Sequence, residues 1–180
     1  MKKAVAKPKK TAGRKPSASP KDKTAKTKKL SGKFLDVFNR VKVIAAKEAG
    51  AEAKMLEICW LLNSKFPHYN WAGFYIAAGD RQLVLGPFVG EPTEHTHIPF
   101  GRGICGQAAE RGETFVVDDV SEESNYLACS MYVRSEIVVP IFVRGEVAGE
   151  LDIDSHQPRA FTEEDRRFLE KVCGHLSAIF

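Results

Sequence analysis

The sequence predicts an α+β domain in which an antiparallel sheet of about five or six strands carries helices from both ends of the chain. Apolar residues recur at helical spacing before Pro67 and after Thr162, and strand-like runs separated by turn residues fill the region between them. A short central helix is expected within that region. A chain of 180 residues is long enough for one such domain with a hydrophobic core.

Charge divides the chain into two unequal parts. Residues 1–33 carry 13 Lys and Arg and one acid, whereas the rest carries 14 basic and 22 acidic residues, so the net charge of +4 conceals an acidic domain. The first part has almost no large apolar residues, and we therefore expect residues 1–31 to be a disordered basic tail and residues 32–180 to be the folded domain. Lysine clusters neutralise phosphates without reading bases, so a weak, non-specific contact of residues 1–33 with nucleic acid is the alternative to a merely solvated tail.

Two helices are predicted before Pro67. The first begins near Ser31, and Gly50 is expected to close it. The second runs from Ala51 to Lys65, with Cys59 on its apolar side as a structural thiol. The apolar stripes contain Phe34, Val37, Phe38, Val41, Ile44 and Ala45 in the first helix, and Met55, Ile58, Cys59, Leu62 and Phe66 in the second.

A hairpin is predicted from the two runs NWAGFYIAA (residues 70–78) and QLVLGPFVG (residues 82–90), with its turn at Gly79-Asp80. Side chains alternate along a strand, so Trp71, Gly73 and Tyr75 share one face. Two interpretations remain open for that face. Either it packs in the core, or Trp71 and Tyr75 beside the small glycine line a flat pocket with a polar end.

A glycine-rich loop precedes the short helix, which is predicted at about Ile104–Arg111. Cys105 would lie in the first turn, where unpaired backbone N–H groups favour a thiolate. The loop lacks the lysine and spacing of a phosphate-binding motif, so that signal is weak. Just before it, His95 and His97 lie two residues apart, but no third ligand has a recognisable metal spacing, and we expect no metal.

The last third of the chain begins with a strand at Thr114–Asp118 and a polar loop of residues 119–132 that contains Cys129. Loops of this length in a compact domain tend to be functional. Thr162 is expected to cap the C-terminal helix with acids in its first turn. Apolar residues of that helix are Phe168, Leu169, Val172, Leu176 and Ile179, and Cys173 beside them is expected to be structural.

Three carboxylates are predicted to converge near Cys129. Glu136 begins an apolar strand, and Asp152 and Asp154 lie two apart at the end of the next strand, so the two aspartates share a face. If these strands form a hairpin in register, Glu136 lies beside both. Such an arrangement is costly for stability and therefore indicates a functional site.

Several classes of protein are not indicated. No apolar run is long enough to span a bilayer, and no apolar segment follows the basic start as in a secretory signal. The four cysteines at positions 59, 105, 129 and 173 are unevenly spaced and do not suggest a disulfide framework. A reducing cytoplasm is the expected location.

The order of elements, together with FGRGICGQAAERGETFVVDDV, SEIVVPI and LDIDS, resembles a GAF domain. With NWAGFY and LGPF also in order, residues 34–180 resemble more narrowly the free methionine-(R)-sulfoxide reductases. These enzymes reduce the oxidised free amino acid. The resemblance implies a GAF-like fold and, for this chain, an oxidoreductase that binds no cofactor of its own.

The resemblance also implies roles for seven residues. Cys129 matches the catalytic nucleophile, and Cys105 matches one of two accessory cysteines. The carboxylates of Glu136, Asp152 and Asp154 would bind the amino group and the sulfoxide of the substrate. Trp71 and Tyr75 would line the pocket for the methyl-sulfoxide group.

Recycling would then proceed through a sulfenic acid and a disulfide reduced by thioredoxin and NADPH, and the family resemblance favours a homodimer. The usual resolving cysteine between LGPF and FG-x-G is missing, since that stretch reads VGEPTEHTHIP here. The resolving step would therefore fall to Cys105, to an external thiol or to no group at all. The loop SNYLACSMYVR also differs from the more common version. The alternative function is a non-catalytic GAF sensor for a small molecule, with the basic tail contacting nucleic acid or another acidic partner.

Overall fold

Four helices and six strands make up the part of the chain that the computed structural model describes, which is residues 30, 32–123, 127 and 131–180. The helices are α1 (Gly32–Ala45), α2 (Ala51–Lys65), α3 (Gly103–Arg111) and α4 (Glu163–Leu176). The strands are β1 (Trp71–Ala78), β2 (Gln82–Val89), β3 (His97–Pro99), β4 (Phe115–Val117), β5 (Ser135–Val143) and β6 (Glu146–Ser155). Cys129 and most of the predicted basic tail lie outside the described residues.

The strands form one antiparallel sheet in the order β3-β2-β1-β6-β5-β4. The predicted α+β class and strand number are therefore confirmed. Helices α1, α2 and α4 cover one face of the sheet and build the larger hydrophobic core, into which Leu30 also packs. Helix α3 covers the opposite face, where a second and smaller core forms. The three central strands β1, β6 and β5 contribute side chains to both faces.

The predicted helices agree closely with the structure, with two corrections. Ile179 was predicted to belong to the last helix, but α4 ends at Leu176 and Ile179 packs against the core from beyond it. Helix α1 ends at Ala45, and Gly50 does not close it as predicted. Gly50 has extended dihedral angles (φ −62°, ψ 154°) and is the N-cap of α2. An N-cap residue has an extended backbone, as Gly50 does, and glycine is tolerated at this position. Gly50 therefore begins α2 and does not end α1.

The two long hairpins differ in their turns. Between β1 and β2 the turn includes Arg81 as well as the predicted Gly79 and Asp80, and both Asp80 and Arg81 have positive φ. Between β5 and β6 the turn is Arg144-Gly145, with φ of 54° and 88°. Two consecutive positive φ angles match the right-handed twist of paired strands. The turn aligns Val143 with Glu146 and Phe142 with Val147, and a register shift between Ile141 and Phe142 moves the rest of the pairing by one residue.

Helix α4 is anchored at its start as predicted. The Thr162 hydroxyl accepts a hydrogen bond from the Asp165 backbone N–H, and the Asp165 carboxylate accepts one from the Thr162 backbone. The same carboxylate accepts a hydrogen bond from the Tyr69 hydroxyl at 2.7 Å and lies 3.2 Å from His68 Nε2. The start of α4 is therefore fixed to the segment that leads into β1.

Candidate active site

The pairing of β5 with β6 brings three predicted acidic residues together. Glu136 pairs directly with Asp154, and Val138 pairs with Asp152. Since alternate residues of a strand share a face, Glu136, Asp152 and Asp154 all point to the face of the sheet that α3 covers. The predicted proximity of Glu136 to the two aspartates is confirmed, and it depends on a register shift between Ile141 and Phe142 that was not predicted.

The structure adds a fourth carboxylate, which was not predicted from the sequence. Glu150 lies two residues before Asp152 and pairs with Tyr75 of β1 on one side and Pro140 of β5 on the other. Acidic residues thus occupy every second position of the run ELDID, and this alternation was the signal that could have found it. We refer to Glu136, Glu150, Asp152 and Asp154 as the carboxylate cluster.

The carboxylate cluster is buried and poorly paired. Its side chains are between 0% and 2% exposed. None of the ion pairs in the described part of the chain involves it. Five of its oxygens are buried without a hydrogen-bond partner among the described residues, namely Glu136 Oε2, Glu150 Oε1 and Oε2, Asp152 Oδ1 and Asp154 Oδ1. Buried acceptors in this state indicate a site that is completed by a ligand or by protons.

Burial raises the pKa of every carboxyl group in the cluster. The pKa of Asp152 rises to about 7, although the hydrogen bond from Cys105 opposes the effect of burial. For Glu136, Glu150 and Asp154, the negative charge of Asp152 adds to burial and raises the pKa further. The cluster therefore retains protons at neutral pH and can serve as a proton donor.

Cys105 faces this cluster from the first turn of α3, the position predicted for it. Its Sγ lies 3.4 Å from Asp152 Oδ2 and 3.6 Å from Glu136 Oε1. The absence of a side chain at Gly106 allows α3 to approach β3 closely, because a Cβ there would lie 2.4 Å from the carbonyl oxygen of Pro99. This close contact brings the thiol to the carboxylates.

Trp71 and Tyr75 lie on the same face of β1, next to the cluster. The register pairs Trp71 with Asp154 and Tyr75 with Glu150. The Trp71 indole stacks on Phe88, with ring centroids 5.4 Å apart, and lies 6.5 Å from the Tyr75 ring. The site therefore has an aromatic side next to its acidic side.

Both aromatic residues also hold the loop between β2 and β3. Trp71 Nε1 donates a hydrogen bond to the carbonyl oxygen of Glu91 at 3.0 Å, and the Tyr75 hydroxyl donates one to that of His95 at 2.9 Å. The structure therefore supports the first interpretation of this face, because the rings are buried in the smaller core and their polar ends hold a loop, and the pocket interpretation stays a prediction.

Two further described cysteines lie on the other face of the sheet, and the two predicted histidines do not form a metal site with neighbouring side chains. Cys59 and Cys173 are buried in the larger core, as predicted, and burial raises the pKa of both thiols. His97 is exposed, and its Nδ1 lies 3.1 Å from Thr96 Oγ1. Within the described residues, neither His95 nor His97 belongs to a cluster of metal-ligand side chains.

No helix in the described ranges has the length and apolar character needed to cross a membrane.

Comparisons with known proteins agree with this fold. A family model described as GAF domain matches residues 55–180. Protein YtsP of Bacillus subtilis (strain 168) is 47% identical over 117 residues, which are 64% of this chain and 71% of that protein. The free methionine-R-sulfoxide reductase of Escherichia coli (strain K12) is 35% identical over 146 residues, covering 81% of this chain and 87% of that protein.

A solved structure has the same architecture. The X-ray structure of free methionine-R-sulfoxide reductase from Neisseria meningitidis in complex with its substrate superposes with a TM-score of 0.76 at 38% sequence identity. The superposition covers 80% of this chain and 86% of that chain. At this identity and coverage, the likeness extends beyond a shared fold to a close family relationship.

Proposed function

The chain belongs to the GAF domain family and is a homologue of free methionine-R-sulfoxide reductases within it, and we propose that it reduces free L-methionine-(R)-sulfoxide to methionine. The observation that carries this proposal is the carboxylate cluster, which faces a thiol and lies beside two aromatic rings on one face of the sheet. A free amino acid sulfoxide presents an ammonium group, a sulfoxide oxygen and a methyl group. Each of these has a complementary group in this site.

The cluster would serve the substrate in two ways. Four buried carboxyl groups within one site cannot all be ionised, so some retain protons while others carry charge. An ionised carboxylate of the cluster would bind the ammonium group. A protonated one would donate a hydrogen bond, and then a proton, to the sulfoxide oxygen. Trp71 and Tyr75 would contact the methyl group and give the positively charged sulfur an aromatic face.

In the proposed reaction, Cys129 is the nucleophile. Its thiolate attacks the sulfoxide sulfur, a carboxylic acid of the cluster protonates the oxygen, and the oxygen passes to the cysteine. The products are methionine and a sulfenic acid on Cys129. The substrate sulfur gains two electrons and the cysteine sulfur loses two.

Recycling would use a second thiol. The thiol of Cys105 attacks the Cys129 sulfenic acid, releasing water and forming a disulfide. Thioredoxin then reduces the disulfide, and NADPH supplies the electrons through thioredoxin reductase. Cys105 is assigned this role because Cys59 and Cys173 lie buried on the opposite face of the sheet.

A coupled assay tests the proposal. Reduced protein is mixed with thioredoxin, thioredoxin reductase, NADPH and either the (R) or the (S) epimer of free methionine sulfoxide. NADPH consumption and methionine formation are followed together, with Cys129→Ser as the control. We expect turnover on the (R) epimer alone and none in the control.

Each result has a defined meaning. A single stoichiometric burst of methionine would support Cys129 as the nucleophile and contradict recycling by thioredoxin. If folded, reduced protein formed no methionine, even with dithiothreitol, the proposal would be wrong. A small-molecule-binding GAF sensor would then be the better description.

A further inference from the structure

Cys105 and two carboxylates form a group whose geometry suits a metal ion. We propose that the substrate-free protein binds a divalent cation of the zinc class through Cys105 Sγ and one carboxylate oxygen each from Glu136 and Asp152. The three side chains are buried, and their ligand atoms all lie within 4.8 Å of one another. Metal binding at this place does not depend on the proposed reaction.

The distances match tetrahedral coordination. Zinc lies about 2.3 Å from thiolate sulfur and about 2.0 Å from carboxylate oxygen, which places sulfur and oxygen about 3.5 Å apart across a tetrahedral angle. The observed separations of Sγ from Asp152 Oδ2 and Glu136 Oε1 are 3.4 Å and 3.6 Å. A cation could therefore enter with little movement of these side chains.

The oxygens without partners provide a second, independent observation. Asp154 is 1% exposed, its Oδ1 has no hydrogen-bond partner among the described residues, and it pairs across the strands with the ligand Glu136. It is not among the three side chains whose ligand atoms lie within 4.8 Å of one another, so it would lie beside the ion and leave the fourth position to a water molecule. Glu150 is fully buried, and both its oxygens also lack a partner within that part of the chain.

The ligand types select the class of metal. Calcium and magnesium prefer sites made of oxygen atoms alone, whereas one thiolate with carboxylates suits zinc and similar borderline ions. Binding requires an ionised thiol and ionised carboxylates, so the ion displaces the protons that the apo site holds. The positive charge of the ion then compensates the negative charges of the thiolate and the carboxylates, which are unfavourable in a buried site.

Metal and substrate would exclude each other, a consequence that rests on the proposed function. The substrate ammonium and sulfoxide groups are proposed to contact Glu136, Asp152 and Asp154, and the ion would occupy an oxygen of Glu136 and one of Asp152. In a single turnover, in which Cys105 is not yet used for recycling, zinc should therefore raise the sulfoxide concentration that gives half the maximal rate of methionine formation and leave the maximal rate unchanged.

Cobalt serves as a spectroscopic probe for the zinc site. The full-length, reduced, chelator-treated protein is titrated with Co²⁺ and then with Zn²⁺. We expect one Co²⁺ per chain with a near-ultraviolet sulfur-to-cobalt charge-transfer band, which Zn²⁺ abolishes. Cys105→Ser should remove the band, and Asp152→Asn should weaken Co²⁺ binding at least about tenfold.

Two controls keep the assignment specific. Cys129→Ser should retain the band, and Glu146→Gln, which changes an exposed acid at the other end of β6, should bind Co²⁺ as the wild type does. Circular dichroism of each variant establishes that it is folded. No charge-transfer band in the wild type, or an equal band in Cys105→Ser, would overturn the proposal.

The outcomes separate the two proposals. An inactive protein with a Cys105-dependent band would contradict the proposed function and support the metal site. An active reductase without such a band would support the proposed function and rule out the metal site.

Discussion

Replacing Gly73 with alanine should displace the Trp71 indole from the candidate site. A Cβ at position 73 would lie 2.2 Å from Trp71 Cη2 and 2.5 Å from Cζ3, and 2.8 Å from the Cβ of Phe88. Carbon atoms in contact are about 3.5–4.0 Å apart, so the ring must move by at least about 1 Å. Such a shift would break the 3.0 Å hydrogen bond from Trp71 to the carbonyl of Glu91.

The magnitude follows from how strongly catalysis depends on position. A displacement of about 1 Å in a positioning group can lower the rate about 100-fold, so we expect kcat/KM for the (R) sulfoxide to fall about 10- to 100-fold. Overpacking should also lower the free energy of unfolding by about 1–3 kcal/mol. Kinetics are therefore measured at a temperature at which the variant is fully folded.

Tryptophan fluorescence reports the displacement directly. The chain has two tryptophans, and Trp60 is 59% exposed whereas Trp71 is 6% exposed, so both proteins are compared in a Trp60→Phe background. Gly79→Ala is the matched control, because no described atom lies within 4 Å of a Cβ at that position. Wild-type kcat/KM in Gly73→Ala together with a shifted emission would refute the role of Trp71. Unchanged emission would refute the geometry itself.

Stability, thiol reactivity and the basic tail provide three more tests. Burial raises the pKa of Asp165, but hydrogen bonds from His68, Thr162 and Tyr69 outweigh it and lower the pKa from 3.8 to about 2. Ionised Asp165 therefore stabilises the fold by at most about 2 kcal/mol above pH 4, and this stabilisation is lost as the pH falls towards 2. In urea unfolding, the free energy of unfolding of Asp165→Asn should fall less between pH 4 and pH 2 than that of the wild type. Cys59 and Cys173 should react with iodoacetamide only after unfolding, because both are buried and burial raises the pKa of each thiol; mass spectrometry showing either one labelled in the native protein would contradict this. Deleting residues 1–31 should abolish retention on a DNA column at low salt without changing reductase kinetics, and retention by the truncated protein would place the contact in the domain.

The part of the site that could be predicted from sequence is the part built by neighbouring strands. Acids two residues apart must share a face, so the common orientation of Asp152 and Asp154 was predictable. The register of Glu136 with Asp154 was not, because the tight turn alone would place Glu136 opposite Ile153, and a register shift between Ile141 and Phe142 moves the pairing by one residue. Glu150 shows the limit of that reasoning. Its alternation with Asp152 was visible, but its burial depends on β1 and β5 on either side and on the face that α3 covers.

Contacts between distant segments could not be predicted. Cys105 lies 31 residues before Glu136 and 47 before Asp152, and it reaches them because of the close contact between Gly106 and Pro99. The sequence predicted that Cys105 lies in the first turn of its helix, but it did not predict the contacts of Cys105 with the carboxylates. The carboxylates were predicted to lie near Cys129, which is outside the described residues. The error at Gly50 has a similar origin, because glycine is common at both ends of helices and the backbone angles decide which end it occupies.

The carboxylate cluster opposes the stability of the domain that contains it. The pKa values of its groups are higher in the folded state than in the unfolded chain. Above about pH 4 the unfolded chain therefore loses these protons first, and the free energy of unfolding decreases. The larger core on the opposite face, with Phe34, Phe66 and Phe168 in mutual contact, provides hydrophobic stabilisation that offsets this cost. An apolar residue at any cluster position would remove the electrostatic cost and allow closer packing against α3. Four acids on the central strands are therefore better explained by a ligand that needs their protons and charge than by the stability of the fold.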